Sequence, residues 1–303
     1  ITIELERKRF AEGIPEHLYQ ELEQLPRRKY HVETKSGATI PAILSEETVQ
    51  FGYDLPKDRF RVPYMARTIK VTLPIKNMLA FSWETFALVE GEAKAEEKET
   101  MIRQSGRIVE NAHLRLTIKK NGTITMEDRK NKRKWNNLHI FEDIGDIGNE
   151  YIFKQPVYDQ PILSSNQEDS EVKVLVDTPE IAKISILQEM EIPVSADERL
   201  EKEQRMVVEF RYRKAERSKE KRILQIETIM TVRKDSKKID FETTLDNQMK
   251  DHRLRILFPT KLHVEHHEAD SIFEVVKRPN HVSKSWENPT NPQHQQAFVN
   301  IHD

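Results

Sequence analysis

A chain of 303 residues with a formal charge of −2 has room for two domains and carries no global field toward nucleic acid or an anionic membrane. The absence of cysteine removes disulfides, thiolate zinc sites and cysteine nucleophiles together, and suits a reducing compartment. No apolar run nears the roughly 20 residues of a membrane span and no signal peptide opens the chain, so a cytoplasmic protein is the expectation.

The chain opens on a strand. Ile1, Ile3 and Leu5 alternate with Thr2, Glu4 and Glu6, the period of a half-buried strand. Both this opening without an initiator Met and the closing FVNIHD read as cuts from something longer. Pro15 starts a short predicted helix with Leu18, Leu22 and Leu25 on one side, and Pro26 stops it. Strands follow at Lys29–Thr34 and Ala38–Leu44 around a Ser36-Gly37 turn, then at Arg59–Tyr64, Ala66–Leu73 and Phe81–Val89. Residues 1–90 therefore predict a small β-sandwich with one helix. The charged segment 91–106 reads as a connection between domains, and 107–303 as the second domain.

That second part begins with Arg107–Lys119 and Thr123–Asp128 on either side of Asn121-Gly122, a strong hairpin signal. A basic tract, Arg129 to Lys134, precedes Trp135 and reads as a solvated turn, because it is short and the chain has no net positive charge. Further strands are predicted at Glu171–Asp177, Ile181–Ile192, Gln204–Arg213, Arg222–Val232, Lys238–Asp246 and Leu254–Val264. Their length and charged exteriors predict large stacked sheets and an all-β class. No Gly-rich phosphate loop, heptad or internal repeat is present.

Two stretches invite a site. His263, Glu265 and His267 would share one face if their segment were a strand, a geometry that could bind metal; an exposed polar strand end is the plainer reading. The stretch His139–Phe153, HIFEDIGDIGNEYIF, sets Glu142, Asp143, Asp146, Asn149 and Glu150 around Gly145 and Gly148, with apolar residues at both ends. It reads as a shaped loop between anchored strands. Its carboxylates are candidates for acid–base work or for bracing their own loop, and Tyr151 and Phe153 for sugar stacking or core packing.

At FEDIGDIGNEYIF the sequence resembles bacterial members of glycoside hydrolase family 38, the α-mannosidases. The resemblance extends in order through Pro63–Val89, Glu110–Arg129, His252–Pro279 and Pro292–Ile301, with 1–53 matching more loosely. It implies a small β-sandwich followed by a partial galactose-mutarotase-like supersandwich. It also implies retaining hydrolysis of terminal α-mannosides through an Asp nucleophile and a zinc ion, both in an N-terminal catalytic domain whose motifs do not occur here. This segment is then expected to hold no catalytic residue and no metal, with zinc in the parent enzyme.

In that family a tyrosine of the matching loop reaches toward the bound sugar, and Tyr151 stands at that position. Asp146, Asn149 and Glu150 accompany it as substrate-binding candidates. The expected partners are a mannose-containing oligosaccharide and the enzyme's own catalytic domain, with a homodimer admitted and no nucleic acid or membrane. Two rival readings are a self-sufficient carbohydrate-binding module using Tyr151, Trp135 or Trp286, and a purely structural or self-associating sandwich.

Overall fold

Alternating apolar residues become paired strands over most of the chain, and the all-β class expected from that pattern is the one found, with two short α-helices among the described residues. The computed structural model describes residues 1–75, 78–92, 100–281 and 296–302. The chain divides into two units, one formed by Ile1–Thr100 with Thr178–Glu180, the other by Met101–Asp177 with Ile181–Asp303.

In the first unit, β1 (Thr2–Arg9) pairs antiparallel with the long β6 (Val62–Thr72), which also pairs with β4 (Ile43–Leu44) and β5 (Thr48–Asp54). The strands expected separately at Arg59–Tyr64 and Ala66–Leu73 are thus one. A second sheet joins β2 (Tyr30–Thr34) to β3 (Thr39–Ile40) and β7 (Phe86–Glu90). The two sheets share a core in which Val32, Ile69 and Val71 are buried with Ile3, Leu5 and Leu88 packed on them. Helix α1 (Pro15–Gln24) begins on its proline and buries Leu18 and Leu22. Arg67, itself buried, donates to Leu22 O at 2.8 Å and Leu25 O at 2.6 Å. A cation there satisfies orphan carbonyls at the negative helix end, and a buried ion pair with Glu47 balances its charge.

In the second unit, β16 (Ile181–Pro193) and β17 (Lys221–Arg233) pair over their full lengths, from Ile181↔Arg233 to Pro193↔Lys221. β15 (Glu171–Asp177) and β18 (Ile239–Leu245) flank them. One face of this ribbon builds two cores. Ala182, Ile184, Ile186, Met230 and Val232 pack on a sheet of β8 (Ile102–Arg103), β9 (Ile108–Glu110), β10 (Leu114–Ile118), β11 (Ile124–Asp128) and β12 (Lys134–Leu138). Met190, Ile192, Leu224 and Ile226 pack instead on Phe141 of β13 (Ile140–Gly145), which pairs with β14 (Ile162–Leu163) and β19 (His252–Leu257). Between the two cores the same face carries buried Gln188, whose Nε2 donates to Asn121 O at 2.9 Å while its Oε1 has no hydrogen-bond partner, and buried Thr228, 3.0 Å from Thr243 Oγ1. Alternation has period two throughout, and one polar pair divides the hydrocarbon.

The Asn121-Gly122 turn joins β10 to β11 as expected, with Gly122 at φ +81°. Of segment 91–106, residues 93–99 lie outside those described, while Met101 is buried and Ile102–Arg103 forms the edge strand β8.

One expected strand is not found and another is cut short. Gln204–Arg213 holds the end of α2 (Glu198–Arg205) and a 3-10 turn at Phe210–Tyr212. Asp197 caps that helix by accepting from Arg199 N, and Arg199–Glu203 and Arg205–Glu201 pair along it. The apolar Met206 and Val207 that mimicked strand residues are exposed. Leu254–Val264 is strand only as far as Leu257, since Pro259 lacks the donor a ladder needs. Two more strands follow, β20 (His266–Ser271) and β21 (Glu274–Pro279), and β22 (Val299–Asn300) joins β20. No described helix is long and apolar enough to cross a membrane.

Candidate functional site

The acidic stretch emerges from a fully buried strand. Every residue of β13 is buried, and Asp146 N then donates to Asp251 O at 2.8 Å as the chain turns outward. Ile147 N to Lys154 O (2.8 Å) and Asn149 N to Ile152 O (2.9 Å) close a narrow, hairpin-like loop with Glu150 and Tyr151 at its apex. Two side chains brace it from within. Asp146 Oδ1 accepts from Gly148 N at 2.9 Å and Lys154 N at 3.0 Å, and Asn149 Oδ1 from Tyr151 N at 2.9 Å and Ile152 N at 2.8 Å. Gly148 is required by close approach, because a Cβ there would lie 1.8 Å from Ile152 O. Tyr151 is 92% exposed, so its ring projects from a braced apex.

A third brace comes from elsewhere in the chain. Arg213 Nη1 donates to Ile147 O at 2.8 Å and also to Gly148 O, while its Nε reaches Val208 O at 3.2 Å. Its own segment is held by Glu203, whose carboxylate accepts from Lys214 N at 3.0 Å and Ala215 N at 3.2 Å. Burial pushes the Glu203 carboxyl up, but these amides and Arg199 outweigh it and leave the group below the usual carboxylate range. Ile147 packs with Ala196, Leu200 and Ala215, so the loop stem has an apolar seat as well.

Beneath the stem lies a cluster of charge. Asp143, with no exposed surface, receives Arg217 Nη2 at 2.5 Å and faces His252 Nδ1 at 2.5 Å; His252 Nε2 lies 3.1 Å from Asn247 Oδ1. Arg217 Nη1 also lies 3.7 Å from Asp159 Oδ1, and Asp159 Oδ2 accepts from Gly145 N at 2.8 Å. Glu142 pairs with Arg255, whose Nε donates at 2.8 Å. The Arg253 guanidinium stacks 3.6 Å from the centre of the Phe153 ring. At the other end of β13, His139 has φ +64°, stacks on Phe241 at 5.1 Å, and finds no hydrogen-bond partner for either ring nitrogen. Burial alone pushes its pKa down to about 4.

Four carboxylates of the stretch therefore have different surroundings. Glu142 and Asp143 are taken by ion pairs and Asp146 by backbone amides, while Glu150 stands exposed at the apex. Tyr151, Asn149 and Glu150 are brought together there, with Asp146 at the stem. Phe153 faces Arg253 rather than solvent beside Tyr151. Trp135 is half-buried against the first core with the Arg133 guanidinium 5.1 Å from its ring, and Trp286 lies outside the described residues. His263 and Glu265 belong to no strand, and among the described residues no group of three His, Asp or Glu could hold a metal ion.

Sequence reading missed Arg213, Arg217 and His252. The last two meet Asp143 across 74 and 109 residues, and only the unpaired surplus of acid in the stretch hinted at distant cations.

The description of glycosyl hydrolases family 38 C-terminal domain 1 matches residues 1–90, and that of the glycosyl hydrolases family 38 C-terminal domain matches 109–303. A putative mannosylglycerate hydrolase of Halalkalibacterium halodurans is 34% identical over 287 residues, covering 94% of this chain and 32% of that protein. The crystal structure of an alpha-mannosidase from Enterococcus faecalis V583 superposes with a TM-score of 0.86 at 49% identity, over all of this chain and 34% of the other. A second Enterococcus faecalis structure, of a protein in glycosyl hydrolase family 38, gives 0.85 at 46% identity, over all of this chain and 35% of the other. The chain thus spans about a third of the length of the relatives it matches.

Proposed function

This chain belongs to glycosyl hydrolases family 38, and we propose that it serves as the non-catalytic β portion of a longer α-mannosidase, hydrolysing terminal α-mannosides with retention. Its part in that enzyme is a wall of the sugar site, presented by the loop from Gly145 to Tyr151. The observation that carries this reading is an aromatic residue left 92% exposed on a loop braced by three separate side chains, Asp146, Asn149 and Arg213. An unsupported exposed tyrosine would lose side-chain and backbone freedom on meeting a ligand; here much of that ordering is already done.

Tyr151 offers a ring face to the apolar C–H side of a pyranose and a hydroxyl to its oxygens. Contacts that tighten as the sugar ring distorts would lower the barrier rather than only KM. Glu150 and Asn149 flank that contact, whereas Asp146 holds the loop from its stem. The catalytic nucleophile, its acid–base partner and the zinc ion that the family resemblance implies would come from outside this chain. Among the described residues no group of three His, Asp or Glu fits a zinc ion. A chain without cysteine is suited to the cytoplasm.

The test is kinetic. In the longer enzyme, Tyr151→Ala should lower kcat/KM on an aryl α-mannoside by about 10- to 100-fold while Tm stays unchanged. An unaltered kcat/KM would remove Tyr151 from the sugar site. Turnover of the same substrate by the 303-residue chain alone would overturn the division of labour.

A further inference from the structure

We propose that Arg213 is a positioning residue that sets where Tyr151 stands, an inference that rests on the wall reading for its catalytic consequence but not for its geometry. The loop's own braces, Asp146 and Asn149, bind amides within the loop and so define its shape. They do not tie it to the rest of the unit. Arg213 does, through two successive carbonyls, Ile147 O and Gly148 O, immediately before the apex. The loop's backbone hydrogen bonds, from Ile147 N to Lys154 O and from Asn149 N to Ile152 O, use other oxygens.

The clamp is rooted in buried structure on its other side. Lys214 and Ala215 amides are held by Glu203, Glu216 O accepts from Asp197 N at 2.8 Å, and Arg217 reaches Asp143 under the stem. Five consecutive residues, 213–217, therefore run as a strap from the helix α2 region, past the loop, to the buried ion cluster. A planar guanidinium suits this task, since it offers several donors in a fixed fork and is always charged. A lysine ammonium has three donors on one nitrogen, but no second nitrogen in a fixed plane to hold Val208 O while it meets the two loop carbonyls.

Two measurements decide it. In the 303-residue chain, Arg213→Ala should speed hydrogen exchange of the Asn149 and Ile152 amides by at least ~10-fold, while the amides of β16 and β17 change by less than ~2-fold. Arg213→Lys, which keeps the charge but loses the planar fork, should fall between and guards against a variant that fails to fold. Unchanged loop exchange in both variants, or a uniform rise across the unit in both, would overturn the proposal.

In the longer enzyme, Arg213→Ala should lower kcat on an aryl α-mannoside by about 10-fold with little change in KM. It should add almost nothing once Tyr151 is already alanine. Full additivity of the two substitutions would overturn a role through Tyr151. If Tyr151→Ala itself had no effect, the wall reading would fail, and the exchange measurement would still decide whether Arg213 holds the loop.

Discussion

Two short polar segments between strands stand out in this sequence, the basic turn from Arg129 to Lys134 and the acidic loop from Gly145 to Tyr151, and the structure treats them in opposite ways. The basic turn answers its own charges locally. Asp128 Oδ1 accepts from Lys130 N at 2.8 Å and Asn131 N at 3.3 Å, and Glu127 lies 3.7 Å from Lys132 and 3.1 Å from Lys134. Those lysines are largely exposed, so the pairs are screened and weak. The acidic loop instead rests on residues far away in sequence: Arg213 at its neck, and Arg217 and His252 on Asp143 beneath it. The lesson is that charge density does not mark a site. A short segment becomes a candidate when buried structure has been committed to holding it still.

The largest loss is expected from the ion cluster beneath the acidic loop. Asp143→Asn keeps the shape but leaves Arg217 and His252 against a neutral amide, and should cost about 3–5 kcal/mol in urea unfolding. A loss below about 1 kcal/mol would mean the cluster is not what supports the loop.

The second prediction concerns acid. Because burial lowers His139 from 6.5 to about 4, the unfolded chain binds its proton first as pH falls. The stability it contributes is therefore complete above about pH 6.5 and is lost progressively down to about pH 4. At pH 4.5 the loss relative to pH 7 should be about 2–3 kcal/mol, and His139→Phe should flatten that part of the pH profile. An identical profile in the variant would show that other groups dominate. The basic turn, exposed from Arg129 to Lys134, holds no comparable buried group.

The smallest effects belong to the basic turn itself. Asp128→Ala frees two turn amides and should lower Tm by less than about a third of the Asp143→Asn shift. Lys132→Ala should leave Tm within about 1 °C. A large loss from either would erase the contrast between the two segments.

Legibility followed the range of the interactions. The alternation in β1, the proline that opens α1, and Asn121-Gly122 between β10 and β11 are signals between near neighbours, and each was readable. Gln204–Arg213 misled because apolar residues that end up exposed after a helix look like one side of a strand, while the deciding Asp197 cap and the Arg199–Glu203 pair lie at its edge. At the candidate site the bracing roles of Asp146 and Asn149 were visible as residue types beside glycine. Their outside support was not.

The sequence by itself determined the all-β class, the positions of most strands and a loop built around Gly145 and Gly148, because these depend on periodicity and close backbone approach within a few residues. Only the tertiary structure decided which acids of that loop are spent and which are free. Asp143 meets Arg217 and His252 across 74 and 109 residues, and pairing at that distance is set by how sheets stack, not by any local pattern. That stacking leaves Glu150 and Tyr151 at the apex with solvent in front of them and a strap of arginines behind.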